Sequence, residues 1–174
     1  MLAAALVLVS CATLQEKAEC RALMKKAVAE SLAKRQVHID ITSMSTMRYG
    51  TRTVTSDFFL EWHGDSLRSY LPYLGQAHQA PMMLPSQGLD FDEPVQELKE
   101  SHPKEGLTRL EMVVRTREDR YLYAIELHES GKAYIHVQSQ HRDPISFDGD
   151  FSSTSTFFSE IPVIKGVSES GRYH

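Results

Sequence analysis

The spacing of hydrophobic residues predicts one helix at the start of the chain. Residues 14–35 contain neither Gly nor Pro and are rich in Ala, Glu, Lys and Leu, which are strong helix formers. At helical spacing, one stripe of this segment is small or apolar and would pack on the domain that follows. The residues that the stripe predicts to be buried are Cys20, Met24, Ala27, Val28, Ser31 and Leu32.

From residue 37 onward the hydrophobic period is two, which is typical of strands. Val37, Ile39 and Ile41 alternate with polar residues and predict a half-buried strand. Residues 49–50 and 63–65 have the composition of turns, so they would separate this strand from the next ones.

The C-terminal half predicts two consecutive hairpins that agree on one buried face. A two-residue turn at 118–119 would pair Thr116 with Tyr121. A three-residue loop at 129–131, with its glycine in a left-handed conformation, would pair Ile125 with Ile135. A slip of one residue in either hairpin would turn the shared face to solvent. The predicted buried set is Leu110, Met112, Val114, Tyr123, Ile125, Leu127, Ile135 and Val137.

A further strand follows the hairpins, with Ile145 and Phe147 on the same parity and Gly149 at its end. About eight strands with short turns predict a mainly β domain, an antiparallel meander closing into a lipocalin-like barrel, because closure removes exposed edges. A two-sheet sandwich is the alternative. The predicted β domain covers residues 37–151, and residues 152–174 are a C-terminal extension that frays at its end.

The first residues predict export and a lipid anchor. Residues 2–9 are an apolar run as long as a secretory h-region and too short to span a bilayer. Residues 8–11, Leu-Val-Ser-Cys, have the order of a bacterial lipobox. Residues 1–10 would then be a lipoprotein signal peptide, Cys11 would carry the lipid, and residues 11–36 would form a lipid-anchored helix. Ala12, directly after that cysteine, favours the outer membrane, facing the periplasm.

The signal peptide lacks one expected feature, a positively charged first segment. No Lys or Arg precedes Lys17, so either the true start lies upstream or the apolar run is the buried start of a cytosolic domain. The Leu-Val-Ser-Cys ending favours the first interpretation. The net charge of -4 in 174 residues argues against a nucleic-acid partner, because such a domain usually carries a basic face.

Three segments resemble a known family of exported proteins. They are residues 65–78 (DSLRSYLPYLGQAH), residues 88–91 with 127–137, and residues 139–149 (SQHRDPISFDG). Together they resemble the Bacteroidetes-type family called domain of unknown function 4251, and the resemblance covers the chain from about Val37 to Gly149. It implies a periplasmic or lipid-anchored protein with a lipocalin-type barrel. It implies no activity, cofactor or catalytic residue.

Motifs for catalysis and for metal binding give no site. His38 and Asp40 share one face of a predicted strand, which fits either a metal ligand pair or an outward polar face. The acidic clusters at 90–93 and 148–150 lack the regular spacing of a calcium loop. No nucleophile elbow, zinc-protease motif or phosphate loop occurs. We therefore assign no catalytic residue, no metal ligand and no cofactor.

The segment around Pro72 is the candidate binding surface. Pro72 and Gly75 bias the backbone away from regular structure, so Tyr70 and Tyr73 would stand on a stiff segment, with Arg142 as a nearby charge. The rings could instead pack over a barrel end, and Arg142 could be a solvated loop residue. We expect a binding or scaffolding module of the cell envelope with an unknown small-molecule, glycan or protein partner. The alternative is an envelope hydrolase with an unidentified carboxylate pair.

Overall fold

The computed structural model describes residues 6–55, 57–74 and 88–152, and in the helix it describes side chains from Gln15 onward. Within these ranges the chain forms one helix and nine strands. Their bounds are α1 Leu6–Ala33, β1 Gln36–Thr46, β2 Gly50–Thr53, β3 Phe59–His63, β4 Ser66–Pro72, β5 Gly88–Lys104, β6 Leu107–Arg115, β7 Arg120–His128, β8 Lys132–Ser139 and β9 Ile145–Ser152.

The strands form an antiparallel sheet that closes on itself. From β3 to β9 each strand pairs with the next one, and β1 pairs with both β3 and β9. These pairings close an eight-stranded barrel, so the predicted mainly β barrel with one N-terminal helix is confirmed. The additional strand β2 pairs with residues 43–46 of β1, and the two strands form a hairpin at the barrel rim.

Side chains fill the interior of the barrel. All eight residues of the face predicted from the two hairpins are buried, and none is more than 2% exposed. The alternation in β1 has the same result, because Val37, Ile39 and Ile41 all face the core. The outward residues of β6 and β7 are more exposed, as expected: the side chains of Glu111 and Glu126 are 34% and 32% exposed.

The first of the two predicted hairpins has a different register. Val114 pairs with Tyr121, and Arg115 with Arg120, which leaves a four-residue loop instead of a two-residue turn. Thr116 closes this loop, since its amide donates to the oxygen of Asp119 at 2.9 Å and its Oγ1 accepts from the Asp119 amide at 3.1 Å. A shift of two residues keeps every side chain on its face, so the predicted burial survives the wrong pairing.

Gly149 does not end its strand, contrary to the prediction. It lies in the middle of β9, where a Cβ would meet the backbone oxygen of Asp40 at 2.5 Å and Cγ2 of Ile39 at 2.7 Å. The absence of a side chain therefore lets β9 approach β1 closely at the seam of the barrel.

The helix packs on the barrel through the second half of its predicted stripe. Val28 is buried in the core, and Met24 contacts the turn at Gly131. Cys20 is exposed, so its predicted burial is wrong. It lies one turn before Met24, where the stripe has not yet reached the barrel. Within the described ranges, no helix has the length and apolar character needed to cross a membrane.

Candidate functional site

The two ends of the barrel differ, and the candidate residues lie at one of them. The tyrosine end carries Tyr73, Tyr121 and Arg142, with the loops 116–119 and 140–144. The helix end carries α1 and the turns 105–106 and 129–131. Strand direction alternates in an antiparallel barrel, so loops that follow every second strand gather at the same end.

Tyr73 and Arg142 come together at the tyrosine end. The Arg142 guanidinium lies 5.1 Å from the centre of the Tyr73 ring, which is a cation–π distance. The Tyr73 hydroxyl donates to the backbone oxygen of Asp143 at 3.3 Å. Burial raises the pKa of Tyr73, and the nearby Asp143 raises it further. Tyr73 therefore packs over one end of the barrel, which is one of the two positions that the sequence left open.

Arg142 is held on several sides. Its side chain is only 9% exposed, and Nη2 donates to Oε2 of Glu118 at 3.1 Å. The Arg142 amide donates to Oγ of Ser139 at 2.8 Å, which fixes the loop that carries the guanidinium. The interpretation of Arg142 as a solvated loop residue is therefore wrong.

Asp119 connects two loops at the same end. It is 8% exposed, and its carboxylate accepts three backbone N–H groups. Oδ1 accepts from Arg120 at 2.7 Å and from Gln140 at 3.2 Å, and Oδ2 accepts from His141 at 3.2 Å. These bonds tie the β6–β7 loop to the β8–β9 loop, so Asp119 has a structural role beside Tyr73 and Arg142.

Aromatic rings continue from this end into the barrel. Phe91 stacks on Tyr121 at 5.5 Å and meets the edge of Tyr123 at 6.1 Å. Ser69 Oγ donates to the oxygen of Leu89 at 2.8 Å and lies 3.0 Å from the Tyr123 hydroxyl, so Tyr123 is the donor of that second bond. Burial raises the pKa of Tyr123 above its usual range, and it raises the pKa of Tyr121 to about 12 although Arg142 opposes the shift.

The space between these groups is small. The crevice between Tyr73, Tyr121 and Arg142 is too narrow to admit a water molecule. The side chains that close this end therefore pack against each other. In this conformation they leave no room for a bound small molecule in that crevice.

Tyr70 lies elsewhere, on the outer wall. It belongs to β4 and is 41% exposed, whereas Tyr73 follows the end of that strand. Its ring lies 5.2 Å from Phe58 and 5.8 Å from Phe59. The extended backbone thus separates the two tyrosines, and the site predicted from Tyr70, Tyr73 and Arg142 divides into two places. Gly75 lies outside the described residues.

The remaining predicted positions carry no metal geometry. His38 and Asp40 do share the outer wall, with 3.2 Å between Nε2 and Oδ1, and His38 stacks on Phe59. Within the described parts of the chain, no three His, Cys, Asp or Glu side chains converge as metal ligands. Cys11 lies on α1, but its side chain is outside the described ones, as are residues 153–174 of the predicted extension.

The helix end holds a larger space. A cleft of about 270 Å³ lies between α1 and the β5–β6 hairpin, with Val28, Leu32 and Leu127 among its walls. At its mouth Lys25 Nζ lies 2.8 Å from Oε2 of Glu129. Sequence reasoning missed this cleft. The apolar stripe of α1 indicated that the helix packs on the barrel, but the stripe alone does not show how closely the helix packs there.

Sequence reasoning also missed the parts played by Phe91, Asp119 and Glu118. Phe91 alternates with Leu89, so the period of β5 indicated an inward ring. Asp119 was recognised as a turn residue, but its bonds to the amides of residues 140 and 141 are contacts between distant segments, which no local pattern shows.

Taken together, the described residues form a small closed antiparallel barrel that is filled by side chains and has a helix across one end. The chain belongs to the family described as domain of unknown function (DUF4251), whose profile matches residues 20–151. A solved structure of a DUF4251 family protein from Bacteroides eggerthii DSM 20697 is similar to it, with a TM-score of 0.57 and 16% identity over 74% of this chain and 87% of that one. At this identity the likeness shows the fold. No curated protein matches the chain.

Proposed function

We propose that the protein is a lipid-anchored component of the bacterial cell envelope, held at the outer membrane on its periplasmic side, and that its barrel is an interaction module. The barrel acts through its outer wall and rim, and the partner is another macromolecule. The observation that carries this proposal is the filled interior.

Barrels that carry a small ligand keep an internal space for it. Here the centre of the barrel is occupied by large side chains, among them Tyr123, Phe147 and Met112, none of which is exposed. The crevice at the tyrosine end is too narrow for water. Among the described residues, this leaves the outer surface of the barrel and the cleft beside α1 as the parts available for recognition.

The anchor is supported by the order of residues 8–11 and by the helix that follows. α1 continues through Cys11 as far as Ala33 and contacts the barrel from Met24 onward. At about 1.5 Å per residue, the helix between Cys11 and Met24 would span about 20 Å. A lipid on Cys11 would then hold the barrel away from the bilayer, with its wall free for a partner.

The anchor is tested by two cysteine variants expressed from the gene with its own upstream sequence. Cys11→Ala should abolish labelling by a radioactive fatty acid and release the protein from the membrane fraction. Cys20→Ala is the matched control, since this exposed thiol lies on the same helix, and it should keep both label and location. A Cys11→Ala protein that remains labelled and membrane-bound would disprove the anchor.

The interaction role has a separate test. Protein purified from its native envelope under mild conditions is examined by native mass spectrometry and, after denaturation, by analysis of extracted small molecules. We expect no stoichiometric small ligand. One molecule of a defined compound per barrel would contradict the proposal, because it would show that the interior or its ends open to a ligand.

A further inference from the structure

Two exposed surfaces of the barrel carry opposite charges. The first, the hairpin tip, comprises Met47, Arg48, Tyr49 and Arg52 at the turn between β1 and β2. Met47 is 89% exposed and Tyr49 is 49% exposed. The Arg52 guanidinium lies 5.6 Å from the centre of the Tyr49 ring, and both arginines are exposed. The tip is therefore apolar and cationic.

The second surface, the wall patch, lies on the outer face of β1, β3, β4 and β5. Its residues are Asp40, Phe59, Arg68, Tyr70, Asp90 and Asp92. The strand register places Asp40 beside Phe59, Tyr70 beside Asp90 and Arg68 beside Asp92. The three aspartates are exposed, whereas the one cation, Arg68, lies 5.3 Å from the centre of the Phe59 ring. The patch is therefore aromatic at its centre and acidic at its rim.

Both surfaces have the composition of an interface. The described residues include five exposed large hydrophobic side chains, and three of them, Met47, Tyr49 and Tyr70, belong to the tip or the patch. Tyr, Met and Arg are the residues in which protein interfaces are enriched. Exposed apolar groups with a charged rim are typical of surfaces that bind another protein.

The position of the two surfaces points to a second copy of the same chain. Asp40 of the patch and Met47 of the tip lie on one strand and its turn, about 23 Å apart at about 3.3 Å per residue. When two copies meet about a two-fold axis, each contact occurs twice, so the tip of each copy can reach the patch of the other.

We propose that the protein self-associates by docking the hairpin tip of each copy on the wall patch of its partner. Arg48 and Arg52 face the carboxylates of Asp90 and Asp92 across the contact. Met47 and Tyr49 pack on the aromatic centre. This inference rests on the interaction role proposed above and names the partner, a second copy of the chain.

The proposal is tested by charge reversal in two differently tagged full-length copies expressed in the same cell. Wild-type copies should co-purify after detergent extraction. The tip variant Arg48→Glu/Arg52→Glu, carried by both copies, should lower the co-purified fraction at least about tenfold, because like charges then face each other across the contact. The patch variant Asp90→Arg/Asp92→Arg, carried by both copies, should do the same.

Mixing the two variants gives the sharper result. A tip variant with one tag and a patch variant with the other present opposite charges at both contacts, so co-purification should return to within about twofold of wild type. The matched control is Arg115→Glu/Arg117→Glu, which makes the same charge change at exposed arginines of the β6–β7 hairpin and should have no effect. Thermal melting of each variant shows that it is folded.

A second measurement does not depend on charge. In a Cys20→Ala background, one tagged copy carries Met47→Cys and the other carries Asp90→Cys. Under mild oxidation, a disulfide between these two positions should link the differently tagged copies. Arg117→Cys in place of Met47→Cys is the control that should give no such band.

The proposal would be overturned by no co-purification of wild-type copies, by a loss of pairing that the mixture does not restore, or by an equal loss in the control variant. Binding of the intact patch to a basic segment of another protein, without pairing of the copies, would also overturn it. The readout is independent of fatty-acid labelling, so failure of the anchor and failure of self-association are distinguishable.

Discussion

The two ends of the barrel are closed by different kinds of contact. At the tyrosine end, directional hydrogen bonds of Asp119 and the stacking of Arg142 on Tyr73 join separate loops, and the crevice between them excludes water. At the helix end, α1 lies across the barrel through apolar side chains such as Val28, beside a cleft of about 270 Å³.

This difference predicts where the molecule opens first. Hydrogen bonds to fixed backbone groups are lost together when a loop moves, so they hold the tyrosine end in one arrangement. Apolar contacts have no preferred direction, and a helix that leaves a cleft beneath it makes fewer of them. Local opening begins in regions with few buried contacts, which here is the helix end.

The largest effect is expected between the two ends, in the core that both share. Ile125 is 2% exposed, and Ile125→Ala should lower the free energy of unfolding by about 2 to 5 kcal/mol, as large-to-small core changes do. Denaturant unfolding measures this loss. Glu126→Ala on the outer wall is the control; it removes a partly exposed ion pair with Arg109 and should cost about 1 kcal/mol or less. A loss below about 1 kcal/mol for Ile125→Ala would mean that this strand is not packed as described.

Asp119→Ala should give the next largest effect, confined to the tyrosine end. The change leaves three backbone N–H groups without their acceptor and should cost about 1 to 3 kcal/mol. Hydrogen exchange at the amides of Gln140 and His141 should accelerate. In Glu118→Ala, which loses a partly exposed ion pair, the cost should be about 1 kcal/mol or less. Unchanged exchange in Asp119→Ala would show that the carboxylate does not hold the loops.

Val28→Ala tests the helix end. The change removes two buried methyl groups and should cost about 1.5 kcal/mol. Hydrogen exchange should accelerate in α1 while the amides of Gln140 and His141 keep their protection. Leu23→Ala on the same helix is the control, since Leu23 is 65% exposed, and it should stay within about 0.5 kcal/mol. Equal acceleration at both ends would contradict their independence.

The smallest effect near neutral pH is expected from Tyr121→Phe. Burial raises the pKa of Tyr121 to about 12, so the folded chain keeps this proton at pH values where the unfolded chain, with a pKa of about 10, loses it. The contribution to stability is fully present below pH 10 and is lost as the pH rises toward 12. Unfolding measured at a series of alkaline pH values should show a shallower decline in Tyr121→Phe. Tyr49→Phe at the exposed hairpin tip is the control, and the same slope in both variants would contradict this assignment.

The sequence predicted which face of each strand is buried better than it predicted which residues pair across strands. Strict alternation fixes which side of a strand is apolar, and the buried set of the two hairpins followed from it. The β7–β8 pairing was also right, since Gly131 with a φ of 85° marks its loop. The β6–β7 pairing was wrong by two residues, because the hydroxyl of Thr116 stabilises a longer loop and both registers bury the same side chains.

The candidate site was predicted only in part, because its contacts are long-range. Local sequence identified Tyr73 and Arg142, but only the closed barrel brings the guanidinium onto that ring and gives it Glu118 as a partner. Local sequence also placed Tyr70 near Tyr73. The strand β4 continues to Pro72 and therefore leaves Tyr70 on the wall. The predicted burial of Cys20 was wrong for a related reason. Helical spacing shows which residues share a stripe, but it does not show where along the helix that stripe meets the barrel.

The seam between β1 and β9 has a consequence for how the chain folds. Ile39 pairs with Phe151, so the first strand of the domain finds one of its partners in the last. Contacts between such distant segments fold slowly, because the intervening chain must be ordered before they form. When the chain is delivered N-terminus first, β1 arrives early and its second edge stays without β9 until the final eight residues of the barrel follow. Until then, that edge is open to strands of other unfolded chains.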